Sequence, residues 1–474
     1  MKDMKAEERI AQLEAEVATL REQLAQALAR IHELEGQQSK DSHNSHQPPS
    51  RTQPWRKRYN QRKASGKPSG GQVGHTGHSL AMVESPERVL THRPTRCGGC
   101  QQSLEGVPGA VVERRQVQDL PSLQLVVCEH QVEELCCPQC QLVSRGSFPP
   151  EVSAPTQYGP GVRALAVYLH QYQLVPLERT AELLCDLYGC TLAQGSVVSW
   201  VQDASQRLAP TVRQIGQWIA SGPLQHADET GIRLGGKLQW LHVNSTRFLT
   251  HLAWHAKRGK DALQAIGIWP QFRGRAMHDR WSSYTRYDCQ HSLCGAHVGR
   301  ELTFLEEHEH QGWAGQMGEL LLDMHAAAQE WRARGARQVP TMERQAWLAQ
   351  YFEILASGFA AQPPPSVEDV PKRGGRRKQS AAKNLLDDLL RRAEQVLAFL
   401  EDLSVPFTNN QAERDLRMAQ VQQKIAGTFR SEDGLTAFCR IRSYLSTMRK
   451  QGHGMLAALA AVFAGQPFPI AWGY

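Results

Sequence analysis

Gln225-His226-Ala227-Asp228-Glu229-Thr230-Gly231-Ile232 decides how the rest of the chain is read. It is a strand-like run with an acidic residue at an element end, and it opens a series. Two more strand-like runs follow at 239–244 and 248–254, then a helical pattern at 261–266. A fourth run, 275–278, leads into Asp279, and a fifth, 292–295, leads into a helix starting near His297.

Three strands, a helix, a strand, a helix, a strand and a helix suit a mixed sheet of the ribonuclease H kind. In that layout the first and fourth strands are central neighbours, which sets Asp228 beside Asp279. A third acid lies far along the chain, in Pro406-Phe407-Thr408-Asn409-Asn410-Gln411-Ala412-Glu413-Arg414. The asparagines stand where a helix should be capped. Glu413 falls one turn in and shares a face with Arg417. Three carboxylates from distant parts of a basic chain point to a divalent-cation site acting on phosphodiesters. Mg²⁺ is hard and takes carboxylate oxygens, and two such ions about 4 Å apart clamp the attacking and leaving oxygens.

The chain has 474 residues, long enough for several domains, and a formal charge of +7. Local charge says more. No acid occurs between Ser42 and Val83, a stretch with Arg51, Arg56, Lys57, Arg58, Arg62, Lys63 and Lys67. Trp55 and Tyr59 interleave with these bases, which suits stacking on nucleic acid or a solvated charge run equally. A second acid-free run holds Lys372, Arg373, Arg376, Arg377, Lys378 and Lys383. Two basic runs fit a polyanion better than a membrane surface. The glycine-rich stretch 70–78 lacks the Gly-Lys-Ser/Thr ending and the preceding strand of a phosphate-binding loop. The N-terminus is charged instead of apolar, and no run approaches a membrane span, so the expected compartment is the cytoplasm.

Ile10, Leu13, Val17, Leu20, Leu24, Ala27, Ile31 and Leu34 keep an a/d heptad register. Flanking charges (Arg9 with Glu14, Glu16 with Arg21, Arg30 with Glu35) favour a parallel homodimer, and Gly36 is expected to end the helix. Residues 37–85 are too polar to bury a core and read as a flexible basic linker. Eleven cysteines in a chain without a secretion signal make disulfides unexpected. Cys97-Gly98-Gly99-Cys100 and Cys137-Pro138-Gln139-Cys140 are two knuckles, joined by strand-like runs at 116–120 and 123–132. They describe a zinc ribbon, with four thiolates around a structural Zn²⁺ and no open position for catalysis. Cys128 is expected in a buried strand. Further on, 177–187, Gly189 and 196–208 resemble a helix-turn-helix, with Ser196 as the second cap; ordinary helical packing is the competing reading. Residues 312–399 read as mainly helical.

Taken together, the coil, the ribbon, Asp228-Glu229-Thr230, Cys294-Gly295-Ala296-His297 and the run from Asn409 to Met418 resemble the transposases of the insertion-sequence-sixty-six family of bacterial mobile elements. The resemblance covers nearly the whole chain, and the last motif is its most specific part. It implies a multidomain α+β protein. The parts are a coiled coil (1–36), a basic linker (37–85), a zinc ribbon (86–150) and a helical, helix-turn-helix-like DNA-binding domain (151–222). A ribonuclease H-like α/β catalytic core follows (223–310), with a helical insertion (311–400), a completion carrying the glutamate helix (401–452) and a tail (453–474). Motif matching places a DDE triad at Asp228, Asp279 and Glu413, holding two Mg²⁺, or Mn²⁺ in their place. Thr408 stands where the family pattern has Asp, and Arg280 where a small residue is expected.

The implied chemistry is phosphoryl transfer without a covalent protein intermediate: nicking at an element end, then attack of the freed 3′-OH on target DNA. Glu229 and Asp415 are the competing acids. On a strand Glu229 points away from Asp228, and on a helix Asp415 is turned about 200° from Glu413. Cys294 and His297, two ligands short of a zinc site, read with Asn409 and Asn410 as supports behind the triad. Arg414 and Arg417 are candidate phosphate contacts beside the two basic runs. The implied partners are double-stranded DNA (element ends and target), a second copy of the chain and accessory proteins of the same element, within a bacterial nucleoid. Two other classes remain: a sequence-specific DNA-binding regulator with an inert core, and a structure-specific nuclease on the same core.

Overall fold

The computed structural model describes residues 2–41, 43–45, 74, 80–121, 123–362 and 379–473. Both basic runs, apart from Lys383, lie outside the described residues, as do Trp55 and Tyr59.

Helix α1 (Lys2–Ser39) runs through Gly36 instead of ending there. Its heptad residues Ile10, Leu13, Val17, Leu20, Leu24, Ile31 and Leu34 are 42–63% exposed, so nothing in the described chain covers the stripe. The chain after it is also anchored further than a free linker would be. His43 Nε2 meets Glu307 Oε1 at 3.0 Å, Asn44 meets His308 at 3.1 Å, and Lys40 sits over the Phe304 ring.

The cysteine-rich segment departs from its expected strands. Residues 116–120 and 123–132 form none, although their Val-rich composition favours strands; Val117, Val126 and Val127 are about 90% exposed and find no partner surface. Cys128 is exposed instead of buried. Among the described residues of this segment the only strands are β1 (Glu134–Cys136) and β2 (Val143–Arg145), an antiparallel pair flanking the second knuckle.

Helices α2 (Pro160–Val167), α3 (Leu177–Tyr188) and α4 (Gln194–Ser221) follow. Gly189 ends α3 in the left-handed conformation, φ 65°. Helix α4 begins before Ser196, which caps nothing, and continues through Pro210. A buried stripe holds it together: Val201, Ala204, Leu208 and Val212 pack with residues of the later helices α13 (Glu432–Lys450) and α14 (Met455–Phe463). The expected tail therefore contains a core helix, and the length of α4 goes into packing.

The centre is a five-stranded sheet of β3 (Leu224–Leu234), β4 (Lys237–Ser245), β5 (Thr250–His255), β6 (Arg275–His278) and β7 (Gln290–Leu293), in the order β5-β4-β3-β6-β7. The strands β3, β4 and β5 are antiparallel meander neighbours; β6 joins β3 in parallel and β7 joins β6 in parallel. Helix α12 (Asn410–Ala426) lays Ala412, Leu416 and Ala419, spaced one turn apart, on Ile232, Leu241, Val243 and Leu252. The other face meets Trp269, Phe272 and helix α5 (Lys260–Ile266). Helix α13 closes the β5 edge: Ser443 and Thr447 hydroxyls accept the backbone N–H groups of Leu252 and Thr250 at 2.8 and 3.0 Å. Two residues along a strand and four along a helix span nearly equal rises, so the pairs register.

Helices α6 (Gly295–Glu309), α7 (Gly312–Ala333), α8 (Thr341–Ala360), α9 (Ala381–Arg391), α10 (Ala393–Val396) and α11 (Ala398–Glu401) build a second apolar core beside β7. The molecule is thus a mixed α/β structure, consistent with a multidomain α+β protein. Among the described residues no helix is long and apolar enough to cross a membrane.

Candidate active site

Strand alternation sorts the side chains of β3. His226, Asp228, Thr230 and Ile232 face α12: His226 Nδ1 donates to Asn409 Oδ1 at 3.0 Å, and Gln420 donates to Thr230 Oγ1 at 3.1 Å. Ala227 and Glu229 face the Trp269 layer. The parallel register pairs His226 with Met277. Continued two residues, it brings Asp279, just past β6, alongside Asp228 on the α12 face. The backbone N–H of Trp281 donates to Asp279 Oδ1 at 3.0 Å and that of Glu229 to Asp228 Oδ1 at 2.8 Å.

The turn after Asp279 explains the unexpected arginine. Arg280 has φ 75°, a conformation suited to glycine. Its guanidinium pairs with Glu301 of α6 and, at 3.0 Å, with Asp388 of α9, tying the turn to the second helical core.

Helix α12 is aimed by Asn409. This residue occupies the N-cap, yet its side chain makes no cap bond. It reaches across to β3 instead, accepting from His226 and donating to the Ala227 carbonyl at 2.8 Å. Its own N–H donates to Cys294 Sγ at 3.2 Å. Gly295 permits this approach, because a Cβ there would sit 2.3 Å from the Phe407 ring. Burial pushes the His226 imidazole down to about 4, so it stays neutral and keeps its donor role at neutral pH.

The electrostatics separate the acids. Burial holds the Asp228 carboxyl well above the usual carboxylate range, reinforced by the charges of Glu229, Asp279 and Glu413. Among the described residues none of Asp228, Asp279 or Glu413 forms an ion pair. Both acids that sequence adjacency made competitors are paired. Glu229 accepts from Arg258 at 2.7 and 2.5 Å and from the Tyr284 hydroxyl. Arg258 in turn stacks between Trp240 and Trp281, 4.9 and 4.4 Å from their centroids. Asp415 pairs with Lys450 at 2.8 Å and accepts from Thr250 Oγ1 and Gln411 Nε2 at 3.1 Å. Local sequence showed neither Arg258 nor Lys450 as a partner, because both arrive from other elements.

Glu413 has a second set of neighbours. Its ligand oxygen, Cys294 Sγ and a His297 ring nitrogen lie within 4.8 Å of one another. Among the described residues this is the only such group of three or more donors. The three triad carboxylates therefore share a face without meeting at one point, and the four knuckle thiols do not converge. Glu413 Oε1 is buried without a hydrogen-bond partner among the described residues. Glu413 also lines a cavity of about 540 Å³, together with His226, Arg247, Thr408, Asn410, Arg414 and Arg417. Arg414 and Arg417 are exposed there.

The two knuckles repeat one backbone design. Cys97 N–H donates to Gln102 O at 2.9 Å and Gln101 N–H to Cys97 O at 3.0 Å; Cys137 N–H donates to Leu142 O at 2.9 Å and Gln141 N–H to Cys137 O at 2.8 Å. Gln101 and Gln141 both take φ near 60°. Backbone N–H groups of Cys100 and Gly99 lower the Cys97 thiol pKa, and those of Cys140 and Gln139 lower that of Cys137.

Residues 155–437, more than half of the chain, match the model described as Transposase IS66 family. The matched span contains the sheet, α12 and Asp228, Glu229, Asp279, Glu413 and Asp415, and the matched class is that of transposases. The chain belongs to the IS66 family of transposases. Residues 2–81, covering α1 and the first basic run, match a family of unknown function, DUF6444. No curated protein matches the chain.

Proposed function

We propose that the chain binds the ends of an insertion sequence and catalyses metal-dependent nicking and strand transfer through Asp228, Asp279 and Glu413, as a DDE-type transposase. The observation that carries this reading is a half-buried Asp228 beside the charges of Asp279 and Glu413, with no cationic side chain paired to any of the three among the described residues. The strand order, with β3 antiparallel to β4 and parallel to β6, supports a ribonuclease H-like core interrupted by a helical insertion before α12.

The donor set fits Mg²⁺: all carboxylate oxygen, with Asp228 destabilised as an anion and Glu413 Oε1 unpartnered. Bound Mg²⁺ would supply Lewis acidity and lower the pKa of the attacking water or 3′-hydroxyl. The remaining work belongs to the chain. Asn409 fixes the Glu413 helix to the strand that bears Asp228. Arg280 braces the turn that bears Asp279. Arg247, Arg414 and Arg417 offer cations to phosphates entering the cavity.

Two supporting roles belong to the same reading. The repeated knuckles with lowered thiol pKa support one structural Zn²⁺ on Cys97, Cys100, Cys137 and Cys140, whose binding would have to draw together thiols that do not converge here; elemental analysis of protein purified without chelators should find it, and finding none would count against it. The uncovered stripe of α1 supports pairing with a second copy; light scattering should show Leu20→Pro shifting the chain to a smaller species, and an unchanged mass would exclude the coil as the contact.

The central experiment is cleavage of a labelled duplex carrying the element's terminal repeats, with Mg²⁺ and target DNA. Nicked and joined products are expected. Binding of the ends without cutting under any divalent cation would overturn the enzymatic reading in favour of a regulator.

A further inference from the structure

Cys294 and His297 stand at the N-cap and in the first turn of α6, and Glu413 stands in the first turn of α12, more than a hundred residues on. Their ligand atoms nevertheless lie within 4.8 Å of one another. The arrangement is built. Gly295 admits Phe407 against the backbone, and this seats the Asn409 N–H on Cys294 Sγ at 3.2 Å. Burial and the Glu413 charge push the Cys294 thiol up to about 11, with the Asn409 N–H only partly opposing them, so the site holds a neutral thiol until a cation displaces its proton. Cys294 and His297 are buried, while Glu413 lines the cavity of about 540 Å³, which provides an entry path.

A thiolate, an imidazole and a carboxylate do not form a Mg²⁺ set, since Mg²⁺ prefers oxygen and keeps its water. Three such ligands with a fourth position open suit a borderline-soft dication of the Zn²⁺ class. We propose that Cys294, His297 and Glu413 form a binding site for a Zn²⁺-class cation, separate from the all-carboxylate site but sharing Glu413 with it, and that filling it inhibits DNA cleavage. Binding releases the Cys294 thiol proton to solvent. The bound ion fixes the Glu413 carboxylate and places a second positive charge beside Asp228, whose carboxyl already senses Glu413. A like charge held on a shared ligand weakens Mg²⁺ binding. The inhibitory half rests on the triad reading above; the binding half does not.

The test uses the full chain, loaded with Zn²⁺ and then dialysed so that only tightly held ion remains. Co²⁺ is titrated in, and the thiolate-to-Co²⁺ charge-transfer absorption is recorded for wild type, Cys294→Ser and His297→Gln. Serine keeps an acceptor for the Asn409 N–H, and glutamine keeps a polar side chain, so a folding defect in one variant leaves the other informative. The expected result is one Co²⁺-dependent band in wild type that is lost in Cys294→Ser and weakened in His297→Gln. A band of equal strength in all three, or no band, overturns the site. Cleavage is then measured with Mg²⁺, with and without micromolar Zn²⁺, as a rate ratio within each protein. Wild type should slow by roughly tenfold or more, with relief at higher Mg²⁺, and Cys294→Ser should lose most of that sensitivity. Equal Zn²⁺ sensitivity in both proteins overturns the inhibitory half. If wild type does not cleave at all, the triad reading fails and the regulatory half with it, while the Co²⁺ result still decides the site.

Discussion

On β3, Asp228 and Glu229 are neighbours in sequence and opposites in environment. Glu229 enters a layer that supplies Arg258 and Tyr284. Asp228 enters the layer under α12 and has no cationic partner among the described residues. The contrast repeats on α12 itself, where Asp415 meets Lys450 and Glu413 meets no cation among the described residues. In both pairs the fold supplies a counter-charge to one acid within reach of the other. Charges withdrawn from water are normally paired, so on the reading proposed above the two half-buried acids left without a partner among the described residues are where a metal ion's charge belongs. On the same proposal, the difference separates acids that hold the structure together from acids that would serve the chemistry.

The largest expected effect is on cleavage. Asp228→Asn, Asp279→Asn and Glu413→Gln should each lower Mg²⁺-dependent nicking by roughly 10³-fold or more and leave binding of the ends nearly unchanged, because each removes a metal-binding charge and none removes a phosphate contact. Glu229→Gln and Asp415→Asn should keep substantial activity wherever they remain folded. Equal cutting by wild type and Glu413→Gln would erase the contrast on α12. A dead but folded Asp415→Asn would reverse it.

The next effect concerns stability and falls on the other members of the pairs. Lys450 and Asp415 are only 12% and 11% exposed in their side chains. Lys450→Ala strands a buried carboxylate and should cost about 3–5 kcal/mol. Asp415→Asn strands the ammonium and should cost somewhat less, since Lys450 Nζ also donates to the Thr246 and Leu249 carbonyls at 2.9 Å. Glu229→Gln should cost less again, because Arg258 is 39% exposed and can reach water. Denaturant unfolding ranks the three; a larger loss for Glu229→Gln than for Lys450→Ala would break the ordering.

These contrasts also show what could be read from residues alone. The sheet was legible because its signals are local, alternating runs and short connections; of the two acids expected at strand ends, Asp279 does follow β6, while Asp228 lies in the middle of β3. The place of Asp279 beside Asp228 followed from strand order. What escaped depended on distant partners. Asn409 looks like a cap by local rules, but His226 and the Ala227 carbonyl, some 180 residues earlier, outbid the first turn of its own helix. Helix α4 looks finished before Pro210, a residue that removes a donor and crowds the preceding turn. The apolar stripe from Val201 to Ile219 carries it on. Residues 123–132 have strand composition but no surface to pair with, and composition alone did not make a strand. Cys294 and His297 looked like two ligands short of a site until Glu413, more than a hundred residues on, came beside them.

The smallest effect is the sharpest test, because its sign is opposite for the two kinds of acid. Substituting a paired acid destabilises; substituting Asp228 should stabilise when Mg²⁺ is withheld. Burial and the charges of Glu229, Asp279 and Glu413 raise the Asp228 pKa above its unfolded value of about 3.9. The folded chain therefore binds a proton that the unfolded chain has already lost. Its contribution to stability is fully present below about pH 3.9 and disappears as pH rises through the raised folded value. Asp228→Asn removes this titration. At neutral pH the variant should unfold a few degrees above wild type, at about 2–4 °C per kcal/mol for a large domain. The advantage should shrink toward zero as pH falls to about 4. Millimolar Mg²⁺ should raise the wild-type midpoint and leave the variant nearly unmoved, since only the wild type gains a neutralising ion. Thermal melts across pH, with and without Mg²⁺, decide it. A variant that melts below wild type at neutral pH without Mg²⁺ would mean that Asp228 has a partner after all, and the distinction between paired and reserved acids would fall on β3.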